Sequence, residues 1–175
     1  MERWRQAEQR GMEVVRTYEE QVRGATLVDI SAGRMPEPRA WFERNGYAPP
    51  RVISADFLSA SPEGERIIEV KARGSFGPIE VIDRQLDTLR AARGRSWLYF
   101  VGNVTQPSPV RLYIVEYPAD LPWRRSREAL RGPSEFRGTR HEAQYTVEFE
   151  SVREVAELVD VSNLGLPAWA GASRD

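Results

Sequence analysis

Residues 51–73, "RVISADFLSASPEGERIIEVKAR", hold the reading on which the rest of the chain depends. "RVISADFLS" (51–59) alternates apolar and polar residues and predicts a strand. "SPEGE" (61–65) carries the Pro and Gly of a short turn, and "RIIEVKA" (66–72) predicts a second strand. Two strands joined this closely form an antiparallel hairpin. Side chains alternate faces along a strand, so Glu69 and Lys71 point one way while Ile68, Val70 and Ala72 point the other. Asp56 lies on the partner strand, near enough across the short turn to stand beside Glu69. The hairpin therefore brings two carboxylates and an ammonium to one face of an otherwise apolar sheet.

Lys71 is the only lysine among 25 basic residues. A cross-strand ion pair on a half-exposed sheet would be worth roughly 0–1 kcal/mol and would accept arginine equally well. Arginine stays protonated and presents a broad fork, whereas a lysine amine is compact and can change protonation when its surroundings demand it. Two neighbouring carboxylates resist joint ionisation unless a cation lies between them. A divalent ion such as Mg²⁺ or Mn²⁺, held by one or two carboxylates and otherwise by water and phosphate oxygens, answers that repulsion. The nearby lysine could then orient an attacking water, take its proton, or stabilise developing negative charge.

Outward from the hairpin, residues 3–23 predict an amphipathic helix. Trp4, Ala7, Gly11, Val14, Val15, Tyr18 and Val22 share one stripe, and Gly24 is a stop. "ATLVDIS" (25–31) predicts a strand, and residues 32–50 an irregular insertion with one helical turn around Trp41 and Phe42. Residues 83–93 predict a helix with Asp83 as N-cap and Leu86 and Leu89 inward. "SWLYFVG" (96–102) is apolar throughout, as in a central strand covered on both faces, and "VRLYIVEYP" (110–118) is a further strand. Trp97, Tyr99, Tyr113 and Tyr117 are expected in the core of these strands. The order α-β-β-β-α-β-β predicts an α+β fold, a mixed sheet flanked by helices.

Residues 1–118 thus read as a core with an insertion at about 32–50, and 119–175 as a C-terminal appendage. The appendage is expected to hold an Arg-rich helical stretch, a strand at "AQYTVEFE" (143–150) and a short helix at "SVREVAELV" (151–159) capped by Ser151. His141 is expected in a loop.

Composition removes whole classes of chemistry. The absence of cysteine excludes disulfides, thiolate zinc sites and thiol nucleophiles, and a single histidine excludes a poly-His metal centre. No apolar run reaches the length of a membrane span, and the charged N-terminus does not read as a signal peptide. Together these predict a cytoplasmic protein without membrane contact. Net charge is −1, but residues 121–140 carry six Arg against two Glu, and 141–160 carry six acids against Arg153. Arg84, Arg90, Arg93 and Arg95 form a second basic cluster. Such patches suit a solvated face or a phosphate backbone.

Asp56, twelve intervening residues, then Glu69-Val70-Lys71 on a hairpin after an N-terminal helix resembles the PD-(D/E)XK nuclease superfamily. More narrowly, "ADFLSASPEGERIIEVKAR", "IEVIDRQLDTLRAAR" and "WLYFV…RLYIVEYP" resemble the NO VEIN C-terminal-like domain over residues 8–118. The resemblance implies a restriction-endonuclease-like α-β-β-β-α-β core and a Mg²⁺ (or Mn²⁺) dependent endonuclease acting on DNA. It also implies a setting in restriction or anti-phage defence, with a helicase or another defence-system subunit as partner. Carried over, Asp56, Glu69 and the Val70 carbonyl would hold the metal, and Lys71 would serve the attacking water.

Gln85 matches the family's Glu/Gln in the helix after the strand and would orient Lys71 or a water. The family's helix glutamate falls at Met12 in this chain. Glu8 and Glu19 lie on the same flank of the helix, and Glu19 is taken as the substitute ligand. Arg73, Arg84, Arg124 and Arg125 are the candidate nucleic-acid contacts. The alternative is a catalytically inactive module of the same fold that binds nucleic acid or protein; a structural domain with a surface ion pair is a third.

Overall fold

The computed structural model describes residues 2–33, 36–105, 108–130, 141–167 and 169. Its helices are α1 (Glu2–Gln21), α2 (Glu37–Arg44), α3 (Asp83–Ala92) and α4 (Phe149–Val155). Its strands are β1 (Thr26–Asp29), β2 (Phe57–Ser61), β3 (Gly64–Ala72), β4 (Ile79–Ile82) and β5 (Ser96–Gly102), then β6 (Arg111–Glu116), β7 (Arg124–Leu130), β8 (His141–Val147) and β9 (Glu157–Val159). The fold is α+β. Six strands form one mixed sheet in the order β1-β2-β3-β5-β6-β9, and three form a second in the order β4-β8-β7.

The hairpin stands as its sequence predicts: β2 and β3 pair antiparallel with Phe57 opposite Ile68 and Ser61 opposite Gly64. In the same register Asp56 stands opposite Glu69, and the Asp56 N–H donates to the Ile68 carbonyl (2.9 Å). β3 then pairs parallel with β5, Lys71 beside Phe100, and α3 lies in the crossover between them. Every other neighbouring pair in the large sheet is antiparallel.

One face of that sheet is covered by α1. Val14, Val15 and Tyr18 pack with Ile68, Val70, Tyr99 and Val101. The helix crosses so close to β3 that a Cβ on Gly11 would collide with the Ala72 side chain, so glycine is required there. The opposite face is covered in two places. Ile67 and Leu58 pack with Trp41 and Phe42 of α2 and Ala92 of α3. Leu98, Phe100 and Tyr113 pack with Val147, Phe149 and Val152. Covered on both faces, β5 is buried along almost its whole length, which accounts for its unbroken apolar run. Tyr99 and Tyr113 are core residues; Trp97 and Tyr117 are partly buried.

Several expectations need correction. Residues 51–55 are irregular, and the strand begins only at Phe57. The insertion holds a two-turn helix, because Trp41 and Phe42 are both fully buried and need a regular scaffold. Residues 79–82 form β4, too short to announce itself between a Gly-Pro break and a helix. Asp83 does not cap α3; Ile82 takes the N-cap position, and Asp83 Oδ2 accepts the Ala143 N–H (3.1 Å). The Arg-rich stretch is strand β7 over 124–130, held by pairing with β8, and not a helix; residues 131–140 lie outside those described. His141 opens β8 instead of a loop; α4 runs Phe149–Val155 with Glu148 at the N-cap, so Ser151 lies within its first turn and does not cap it, and residues 157–159 form strand β9.

The division at residue 118 separates stretches that share a sheet and a core. β9 pairs with β6 at the edge of the large sheet, and β8 pairs with β4.

Candidate active site

The Asp56 pair with Glu69 sits where the hairpin meets α3. Glu69 is 1 % exposed at the centre of β3. Its Oε1 takes two donors: Lys71 Nζ at 2.8 Å and Gln85 Nε2 at 2.5 Å. Its Oε2 is buried without a hydrogen-bond partner. Gln85, in the first turn of α3, is fixed from three sides, since its Oε1 accepts from Lys71 Nζ (3.1 Å) and from the Ile82 N–H (3.2 Å). Asp56 Oδ2 accepts the Val70 N–H at 2.7 Å. The structure therefore brings Asp56, Glu69, Val70, Lys71 and Gln85 together.

Both carboxyls are pushed above the ordinary range. For Asp56 the shift is large; burial is the main cause, and the facing Glu69 charge adds to it. For Glu69, burial raises the pKa against the opposing pull of Lys71. Glu8 of α1 adds a further upward push on both. Two neighbouring carboxyls whose ionisation burial disfavours, one with an orphaned buried oxygen, mark a place where added positive charge would be favourable.

Beside them opens a cleft of about 360 Å³. Its walls include Glu8 on α1, Val70, Lys71 and Arg73 on β3 and just beyond it, Glu80 on β4, and Gln144 on β8. Lys71, a fifth exposed, thus reaches from the buried pair into the cleft.

Glu19 is not part of this cluster, contrary to expectation. It lies fully buried at the other end of β3. Its Oε2 accepts from Arg23 Nη1 (2.8 Å) and Ser59 Oγ (2.5 Å). Its Oε1 accepts from the Tyr99 hydroxyl and lies 3.6 Å from Arg66. α1 runs opposite to β3, with Gly11 over Ala72 and Glu19 over Ser59. The helix glutamate that overlooks the cleft is accordingly Glu8, one turn before Met12, and not Glu19 two turns after it. The sequence offered both; only the closeness of Gly11 to Ala72 chooses between them.

The arginines divide. Arg73 and Arg84 line the cleft, each in a loose ion pair, with Glu80 (3.6 Å) and Glu142 (3.4 Å) respectively. Arg124 and Arg125 are exposed on β7, one strand farther from the cleft than β8. Sequence reasoning missed Glu80 and Gln144 altogether, since both reach the cleft on strands whose pairing is set by distant partners.

Among the described residues no group of three or more His, Cys, Asp or Glu side chains is arranged to hold a metal ion. The donor set available is two carboxylates and a backbone carbonyl, with water completing the shell, which is the kind of set Mg²⁺ accepts. The orphaned Glu69 oxygen fits such an ion. No protein-family model, no curated protein and no solved structure matches the chain. Among the described residues no helix is long and apolar enough to cross a membrane.

Proposed function

We propose that this chain is a divalent-metal-dependent nuclease domain of the PD-(D/E)XK kind that hydrolyses phosphodiester bonds in DNA. The observation that carries the reading is Glu69: a fully buried carboxylate beside Asp56, with one oxygen held by Lys71 and Gln85 and the other left without a partner. Asp56, Glu69 and the Val70 carbonyl would hold Mg²⁺ or Mn²⁺. When bound, such an ion supplies Lewis acidity to the phosphoryl group and lowers the pKa of a coordinated water.

The chain's own residues do the rest. Lys71 Nζ, fixed between Glu69 and Gln85, points a compact cation at the mouth of the cleft, where negative charge develops during phosphoryl transfer. An arginine at this position would keep the ion pair but could neither fit the same three-way contact nor release a proton. Gln85 acts as a positioning residue, since its amide locks both partners. The resemblance of the hairpin and the following helix extends the proposal to a cytoplasmic restriction or anti-phage setting with a helicase-type partner.

A second reading is a module of the same fold that binds nucleic acid or protein without cutting. It is favoured by Met12 at the helix position and by Glu19 being fully engaged elsewhere. Incubating plasmid and single-stranded DNA with Mg²⁺ or Mn²⁺ separates the two. Wild type should cut, and Glu69→Ala and Lys71→Arg should lose cutting. Cleavage by Lys71→Arg at the wild-type rate would remove the role given to the lysine, and an inert wild type would leave the binding module.

A further inference from the structure

The first turn of α1 brings to the same cleft a side chain for which the hydrolytic chemistry has no use. Trp4 is 69 % exposed, yet it lines the cleft that Lys71 and Gln85 open into. It belongs to the apolar stripe of α1, whose members Ala7, Gly11, Val14 and Val15 are buried against the sheet. At Trp4 the helix has passed beyond the end of β3, and the indole stands open at the rim. A large aromatic left exposed at the mouth of a cleft is a surface suited to stacking.

The cleft's size narrows what can stack there. At about 360 Å³ it lies near the lower end of pockets that enclose small molecules, room for about one nucleotide. Arg73 and Arg84 stand on its other walls in ion pairs that are loose and about one-third exposed on the arginine side. The Arg73–Glu80 pair is more than one-third exposed on both sides, and exposed pairs of this kind are weak, so a phosphate can exchange for Glu80. Indole on one wall and guanidinium groups on the other match the base and backbone of a single unpaired strand.

We propose that the cleft takes an unpaired nucleic-acid strand, with a base stacked on Trp4 and adjacent phosphates at Arg73 and Arg84. The proposal rests on the nucleic-acid reading above and names the form of its substrate. It does not depend on cleavage.

Anisotropy of a labelled single-stranded oligonucleotide, measured in EDTA so that no cutting occurs, tests it against a duplex of the same sequence. Wild type should bind the single strand at least about tenfold more tightly than the duplex. Trp4→Ala should weaken single-strand binding roughly ten- to a hundredfold, as expected for loss of one base–aromatic stack, while Trp4→Phe retains most of it. Trp4 is exposed, so both variants should fold; unchanged melting temperatures check this. Duplex binding equal to or tighter than single-strand binding, no binding of either, or wild-type affinity in Trp4→Ala would overturn the proposal. Binding through Trp4 by a protein that cuts nothing in Mg²⁺ would remove the nuclease reading alone; cutting with Trp4→Ala indifferent would remove this proposal alone.

Discussion

Two buried glutamates sit along the same hairpin and are treated in opposite ways. Glu19, delivered by α1, finds Arg23, Ser59 and Tyr99 around it, and both of its oxygens are bonded. Glu69, in the middle of β3, has Lys71 and Gln85 on one oxygen and nothing on the other. Both cost free energy to bury. Only the first has been given enough donors to offset that cost within the protein. On the proposed reading, the satisfied carboxylate serves the structure and the one left short is held for a cation.

The largest expected effect strikes the satisfied side. Glu19→Ala should destabilise the fold by about 3–5 kcal/mol, because it takes the buried acceptor from Arg23, Ser59 and Tyr99 at once and leaves Arg23 only Ser61 and the exposed Glu63. Urea denaturation measures this. A loss under 1 kcal/mol would mean the cluster is a passive pairing, and the contrast with Glu69 would collapse.

Glu69→Gln should invert the pattern. It should cut phosphodiester cleavage at least about a hundredfold, comparable to removing a key charge-stabilising group, while leaving metal-free stability equal or higher. The variant replaces a carboxyl whose ionisation the site resists with a neutral amide of the same shape. Initial cleavage rates and melting temperatures, taken together, check the pair of outcomes; a marked fall in metal-free stability would put Glu69 in the same structural class as Glu19.

Tyr99→Phe sharpens the satisfied side. The hydroxyl donates to Glu19 and accepts from Arg66 Nη1 (2.7 Å), so its removal leaves a buried carboxylate oxygen short of a donor. A loss of about 1–3 kcal/mol is expected, with cleavage per folded molecule unchanged.

The smallest effect is a pH dependence of the metal-free protein. The folded-state pKa values of Asp56 and Glu69 are raised, so the native chain holds protons that the unfolded chain releases. Stability from these groups is therefore fully present below their unfolded values, near 4. It falls as pH rises through the folded values. Asp56→Asn should flatten this slope, since its side-chain oxygen can still accept the Val70 N–H. Melting temperatures across pH 4 to 8 in EDTA read it out, and a slope of opposite sign would show that the pair is already compensated.

How much of this was legible beforehand follows from the range of the forces involved. The hairpin was readable because period-two alternation and a Pro-Gly turn are local, and they fix which side chains share a face; Asp56, Glu69 and Lys71 followed, whereas Gln85 came from the resemblance of the helix after it. β4 and β7 were not readable. Four residues after a break carry no period, and "RRSREAL" has no apolar face; both are strands because β8 pairs with them. Glu8 and Glu19 were indistinguishable on the helix wheel. Their fates differ because Gly11 seats α1 on Ala72, a contact between residues far apart in the chain.

The most direct measurement of the claim that Glu69 is held for a cation is calorimetric titration of Mn²⁺ into the protein near neutral pH in two buffers of different ionisation enthalpy. A site made of two carboxyls with raised pKa values should bind one ion with release of protons. Glu69→Gln should abolish that binding, and Tyr99→Phe should keep it. Absence of binding to wild type, or binding unchanged in Glu69→Gln, would contradict the account.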